Sequence, residues 1–450
     1  MGSRCVPNWV WAVLGLLHAA GFAWTLHSGR WNFPDSERYR QAAVNLVEQR
    51  QLYARPWPAS APHGQAVQEF TIRPFGYPVV LACLGSDQKC PWLVLLVQGC
   101  ISFSILGWLL NWWARVAIPL PRHWLGAMGL IVGFPAQVVY ANAVMSELWL
   151  QVTLFVVVTN ILFQYKTGRE RYGWGAAVAI VAALLLKPVC YPLALVWLVG
   201  EGWVAWKQRR TSLVLAALLP LVVVISYMRW NEQRTGYFHF SSIAEINLLH
   251  YNAAGVVRRL QGVQVEEAWV ARVLRTANAR TDFATRQRFI QRQADSVLLA
   301  HPFVYAGQHL LGMGTLLLDP GRFDICEFLG LSLLPGGGLL ALVRAEGWLH
   351  ALRHLPMGLL LLLTGLTVGN GVRLGMAING LRRLRHGPSH WRLAGWLAVG
   401  IIGYLALLTG PLGAARFLVP AWPLLLGLAL LGLRGPRRQT ARSAAATANA

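Results

Sequence analysis

Charge is scarce in this chain. Of its 450 residues only 13% are Asp, Glu, Lys or Arg while 55% are hydrophobic, which leaves too little polar surface for a soluble globular protein and excludes a disordered chain or a coiled coil. Cysteine is sparser still. The six cysteines are scattered and form no Cys-x-x-Cys, which excludes a disulfide-stapled secreted module and a sulfur-ligated metal centre. Asp, Glu and His form no dense cluster either, so no metal or other cofactor is expected to be required, and His239, His250, His301 and His309 are expected to be interfacial or structural. No repeat of about 20 to 50 residues is present.

What the chain has in quantity is apolar runs. A helix crosses a hydrocarbon core of about 30 Å with about 20 apolar residues. Such spans are predicted near 9–27, 92–113, 124–140, 148–165, 174–188, 190–206, 212–229, 356–378, 392–409 and 416–433. Two further segments, 303–318 and 328–343, are short or Gly-rich, and as a pair they would leave every other orientation unchanged. The expected fold class is therefore an all-α polytopic membrane protein of about 10 to 12 transmembrane helices, with extracytoplasmic amphipathic helices. The first run follows one Arg and lacks a small-residue cleavage site, as expected of a retained signal anchor.

The basic residues mark one face. With a cytoplasmic N-terminus, the inner loops hold Arg115 and Arg122; Lys166, Arg169 and Arg171; Lys207, Arg209 and Arg210; Arg382, Arg383, Arg385 and Arg392; and Arg434, Arg437, Arg438 and Arg442. Those sixteen bases are accompanied by one acid, Glu170, whereas segments 28–91 and 230–327 contain fourteen of the 18 acids. This is the positive-inside distribution, and it accounts for the formal charge of +22 by topology. Nucleic acid is not an expected partner, because the bases are spread over short loops and form no continuous patch with interleaved aromatics. The chain divides into a membrane module 1–229 that includes the first extracytoplasmic loop 28–91, an extracytoplasmic or interfacial segment 230–327, C-terminal membrane helices 328–434, and a disordered cytoplasmic tail 435–450.

The two outer segments carry what the spans lack. After the first span, Pro34 and Asp35 are read as a helix start, with Tyr39, Ala42, Ala43, Leu46 and Val47 in helical spacing behind them. Arg38 and Tyr39 then fall three and four residues after Asp35 on one predicted face. Asp35 could simply cap the helix, worth about 1 kcal/mol, with Arg38 as its solvated partner, or it could act as a base. Further on, Arg73 precedes Pro74, Gly76 and Pro78, which are expected to impose a rigid, non-helical approach to the second span. An interfacial anchor beside Tyr77 and a ligand-binding cation both suit Arg73.

An Asp-x-x-Arg-Tyr after the first span, followed by Arg-Pro at the approach to the second, resembles the GT-C membrane glycosyltransferases. The branch it is most similar to is glycosyltransferase family 39, with the protein O-mannosyltransferases and the lipid A aminoarabinose transferases. The resemblance extends through RPFGYPVVLA at 73–82, SELW at 146–149, LLLKPV at 184–189, TGYFHFSS at 235–242, HPFVY at 301–305 and ARFLVPAWPLL at 415–425. Two departures stand out. The usual Asp-Glu pair is Asp-Ser-Glu here, with Glu37 displaced by one, and Phe417 stands where Tyr is commoner.

That resemblance implies an enzyme of a bacterial inner membrane with both termini cytoplasmic. It would transfer a sugar from a polyprenyl-phosphate donor to a hydroxyl of a lipid, glycan or protein acceptor on the extracytoplasmic side, by one in-line displacement with inversion. Such chemistry needs a base for the hydroxyl and cations for the departing phosphate. Asp35 suits the first role. Arg38, Arg73, Lys187 and Arg416 suit the second, although Lys187 and Arg416 flank apolar runs beside Pro and could equally end them as snorkelling charges. Tyr39 and Glu37 are expected as supporting residues. Glu147 either positions the acceptor or orients Asp35's surroundings, or is an ordinary interfacial acid. Cys83 and Cys90 lie on the oxidising side and could pair. A transporter or flippase of lipid-linked sugars is the competing class, but it would place charge inside the spans, where this chain is expected to have almost none; a polyprenyl-dependent ligase or polymerase would keep its Arg/His chemistry in a late loop.

Overall fold

The computed structural model describes residues 5–57, 64–85, 91–331 and 356–433. Among these residues the chain is helix and loop, with no strand. Eight helices are long and apolar enough to cross a membrane: Asn8–Ser28, Trp92–Ala117, Glu147–Thr167, Pro188–Gln208, Thr211–Thr235, Met357–Arg385, Ser389–Leu412 and Ala415–Leu433. The architecture is an all-α polytopic membrane fold. Large apolar side chains such as Leu16, Val199 and Leu361 remain exposed on the outside of the bundle, while Leu14, Trp113, Trp124, Tyr140 and Trp422 fill its interior.

These eight helices coincide with eight of the predicted spans, and two spans differ. The run 124–140 is not one helix: Pro121–Val132 stops at Gly133, and Ala136–Ala141 begins after Pro135. Proline has no N–H to donate and disfavours helical geometry in the residue before it, so Gly133-Phe134-Pro135 breaks the run. The run 174–188 forms Glu170–Leu186, a helix of 17 residues. At about 1.5 Å per residue it extends about 26 Å, short of the full hydrocarbon thickness. Residues 303–318 form the helix Pro302–Leu318. Most of 328–343, the tail 435–450, and Cys90, the possible partner of Cys83, lie outside the described residues.

The expectation of spans almost free of internal charge is corrected at Arg373. It sits near the middle of Met357–Arg385 and is 2% exposed. A charge at that depth costs about 2.5–3.5 kcal/mol on insertion scales unless it is solvated by the protein. Here its guanidinium faces Trp422 at 4.5 Å and Phe134 at 5.3 Å, and donates to Asn370 Oδ1 at 2.5 Å and to the Leu130 carbonyl at 3.3 Å. The Leu130 bond satisfies a carbonyl at the broken end of Pro121–Val132, so the buried cation stabilises the interruption described above.

Outside the spans, Ala254–Gln261, Val263–Asn278 and Phe283–Ala300 form the amphipathic helices expected there. Asp282 caps the last of them by accepting from the Thr285 N–H at 2.8 Å. His239 bridges the Tyr237 carbonyl and Thr71 Oγ1, and Arg286 donates to Gln68 Oε1 at 2.9 Å, which fastens this layer onto the first loop.

Candidate functional site

Five charged side chains from five separate parts of the chain meet at one place: Asp35, Arg73, Glu147, Lys187 and Arg416. Each is delivered by a local feature of its sequence. Asp35 precedes the helix Ser36–Glu48 and occupies its cap position, but its side chain makes no cap bond. The turn is closed instead by Ser36 Oγ, which accepts from the Phe33 N–H at 2.8 Å. The Asp35 carboxylate is thereby left for other partners, and the capping alternative is not realised.

Those partners are two arginines. Arg73 donates to Asp35 Oδ1 at 2.5 Å and Arg416 donates to Oδ2 at 2.8 Å. Arg73 follows the turn at Thr71–Ile72 and is 7% exposed. The helix after it starts at Gly76, so the approach is helical sooner than expected, with Pro78 in the first turn, where a missing N–H costs nothing. Gly76 is required there by space. A Cβ on it would lie 2.6 Å from the Leu185 carbonyl oxygen, so only glycine lets this turn press against the end of Glu170–Leu186 and bring Arg73 towards Lys187.

Lys187 sits at that helix end because Pro188 forces the preceding residue into extended backbone, here φ −147° and ψ 127°. Its ammonium donates to Glu147 Oε1 at 2.6 Å and stands 5.5 Å from the Phe417 ring centroid. Glu147 is the first residue of Glu147–Thr167, where the helix dipole favours an anion, and it is fully buried. Arg416 lies 3.5 Å from the same Glu147 oxygen. It is carried on the short helix Ala415–Leu418, whose first N–H, that of Ala415, is held by Asp319 Oδ2 at 2.7 Å. Gly413 allows that turn to touch Pro302–Leu318 closely, since a Cβ there would meet the Gly312 carbonyl oxygen at 1.8 Å.

The remaining candidates divide. Tyr39 is buried beside the centre: Arg73 lies over its ring at 4.9 Å, its hydroxyl is 3.4 Å from Ser146 Oγ, and it meets Tyr77 edge-on at 4.9 Å. Arg38 does not join. Because Asp35 stands before the helix and turns away, the shared face with Arg38 is absent, and Arg38 instead grips Glu69 with two bonds of 3.3 Å. Glu69 is buried and also pairs with the exposed Arg55 at 3.3 Å. Glu37 is exposed and takes no part in the cluster.

Two residues that sequence reasoning missed, Asp324 and Tyr140, stand next to the cluster. Asp324 is 3% exposed and accepts from the Tyr140 hydroxyl at 2.7 Å. Burial pushes the Asp324 carboxyl up to about 7, against the lowering effects of the Tyr140 bond and the Arg416 charge. Sequence offered little signal, because Asp324 shares the short segment RFDICEFL with Arg322 and Glu327 and its partner lies far away in the chain. Asp35 behaves oppositely. Burial works against its ionisation, but the charges of Arg73 and Arg416 outweigh this and hold its carboxyl well below the usual range.

Chemically, the cluster offers three cations against two carboxylates, with Asp35 partly open to solvent at 21% side-chain exposure. Arg73 Nε and Glu147 Oε2 are buried without a hydrogen-bond partner among the described residues. The set suits an added anion rather than a cation, and no group of His, Cys, Asp and Glu among the described residues has the arrangement of a metal site.

No protein-family model matches the chain, and no curated protein matches it. A solved structure of ArnT from Cupriavidus metallidurans, bound to undecaprenyl phosphate, is similar over 95% of this chain and 77% of that one, at 14% identity and a TM-score of 0.37. A likeness of that size assigns neither family nor activity.

Proposed function

We infer that this chain is an integral membrane glycosyltransferase that moves a sugar from a polyprenyl-phosphate donor to an acceptor hydroxyl. The observation that carries this reading is the double hold on Asp35, with one arginine on each carboxylate oxygen inside a cluster of net positive charge. Arg73 and Arg416 offer the planar, paired N–H groups that suit phosphate oxygens, and Lys187 adds a third positive donor.

The same geometry explains how a depressed carboxylate could serve as a base. A carboxylate held by two guanidinium groups is a poor proton acceptor. A donor phosphate competes for those N–H groups, and as it takes them Asp35 loses its stabilisation and its basicity rises. The acceptor oxygen then attacks the anomeric carbon while its proton passes to Asp35. The bond from that carbon to the phosphate oxygen breaks, and its electron pair leaves with the polyprenyl phosphate, whose second negative charge meets Arg73, Arg416 and Lys187. Glu147 keeps Lys187 and Arg416 in place. Attack opposite the leaving group inverts the sugar carbon, and one base is enough.

The basic loops support an orientation for this reading. Glu147 begins the helix whose far end carries Lys166, followed by Arg169 and Arg171, so under the positive-inside rule the cluster would face the extracytoplasmic side of an inner membrane. The test is incubation of membranes containing the protein with a panel of polyprenyl-phosphate sugars. Consumption of one donor with appearance of free polyprenyl phosphate is expected. If every donor stays intact while lipid-linked sugar moves between leaflets, the chain is a flippase and this reading fails.

A further inference from the structure

A second site lies at the other end of the bundle. Helices Trp92–Ala117, Glu147–Thr167, Ser389–Thr409 and Trp422–Leu433 stand around a cavity of about 420 Å³, within the range of about 300–1,000 Å³ common for ligand sites. Lys166 is at its rim, and Glu147 begins the same helix about 28 Å away at about 1.5 Å per residue, so the rim lies a membrane thickness from the charged cluster.

One wall of the cavity is aromatic. Trp108 lies parallel to Trp112 at 6.5 Å, Trp112 meets Trp391 at 5.7 Å, and Phe155 meets Trp108 edge-on at 4.9 Å. Lys166 and His390, both exposed, bring polarity to one end, and no Asp or Glu lines the cavity among the described residues. Leu384 in its wall belongs to the last turn of Met357–Arg385, which adds Arg382, Arg383 and Arg385 to the same end of the bundle.

Apolar walls select little in a bilayer, because lipid chains are as apolar as the side chains they replace. Selection therefore falls to the headgroup end, where the charge is positive. We propose that this cavity holds an acyl chain of an anionic phospholipid from the adjacent leaflet, with its phosphate on Lys166 and His390 beside it. A polyprenyl carrier is a poorer occupant: with its phosphate at Arg73 and Arg416, it would bring only hydrocarbon to Lys166. The inference does not depend on sugar transfer.

The test is titration of the full-length protein in detergent with phosphatidylglycerol or phosphatidylcholine of identical chains, counting bound lipid by native mass spectrometry. The first phosphatidylglycerol is expected to bind about fivefold more tightly, the ratio one Lys near a headgroup contributes. Lys166→Gln is expected to abolish that preference and leave phosphatidylcholine binding as it was. Gly427 lines the cavity, and a Cβ there would make only ordinary contact with Leu109 at 3.5 Å, so Gly427→Leu should fill the space and remove the first bound lipid of both kinds. Equal binding of the two lipids to the wild type would overturn the proposal, as would a preference that survives Lys166→Gln. Displacement of the bound phospholipid by equimolar polyprenyl phosphate would give the cavity to the carrier and overturn it too.

Discussion

Arg416 donates to Asp35 Oδ2 at 2.8 Å across 381 residues of sequence, so the last membrane helix closes onto the first loop through one hydrogen bond. Arg73 occupies the other carboxylate oxygen. A ligand that enters this cluster must negotiate with an ion network that is complete without it, and the consequences can be measured one residue at a time.

Arg416→Lys keeps the charge but loses the fork that faces Asp35 and Glu147 together. Donor kcat/KM is expected to fall about 10²–10³-fold, the usual cost of one donor to a developing oxyanion, in steady-state assays of polyprenyl phosphate release. A change confined to KM would mean that Arg416 binds the ground state and the transition state equally.

Arg38→Ala separates the site from its neighbourhood. Arg38 pairs with Glu69, which retains Arg55, so turnover is expected to change by less than about fivefold, as for an ion pair worth at most about 1 kcal/mol. A loss as large as that in Arg416→Lys would place Arg38 on the donor phosphate after all.

Gly76→Ala puts a Cβ within 2.6 Å of the Leu185 carbonyl oxygen, against backbone that cannot rotate away. The expected cost is about 1–3 kcal/mol of stability, seen as a lowered Tm in detergent. Turnover should fall with it, because Arg73 and Lys187 are pushed apart. An unchanged Tm would show that the contact yields without strain.

Asp324→Asn reports on pH. The carboxyl is pushed up to about 7 in the folded protein from 3.8. Between these values the folded chain keeps a proton that the unfolded chain has released, so this residue's contribution to stability is full below 3.8 and is lost as pH rises through about 7. Asn is neutral throughout and can still accept the Tyr140 bond. Relative to Asp324→Asn, the wild type is expected to lose on the order of a few kcal/mol between about pH 4 and pH 8 in thermal unfolding. Parallel curves for the two proteins would contradict the assignment.

The spans were legible because a continuous apolar run of membrane length is a strong signal; it misled where Gly133-Phe134-Pro135 interrupted one run and where Glu170–Leu186 came out shorter than the hydrocarbon thickness. The placement of Lys187 could be read because Pro188 marks the end of an apolar run, that of Arg416 because it opens the run 416–433, and that of Arg73 because prolines and a glycine surround it. Arg38 was misplaced for one reason: helical spacing counts Asp35 as part of the helix, whereas it stands before the first turn with its side chain directed elsewhere. Glu69, Asp324 and Arg373 were invisible as site or core residues. Each takes at least one partner from a distant segment, Arg38 for Glu69, Tyr140 for Asp324 and Leu130 for Arg373, and local spacing holds no information about those.

The most direct measurement is the rate at which purified protein releases polyprenyl phosphate from a labelled polyprenyl-phosphate sugar, compared between wild type and Asp35→Asn at equal amounts of folded protein. Asn matches the size of Asp and can still accept from one arginine, but it cannot take up the acceptor's proton. A rate slower by about a hundredfold or more is expected. Equal rates would contradict the assignment of Asp35 as the base.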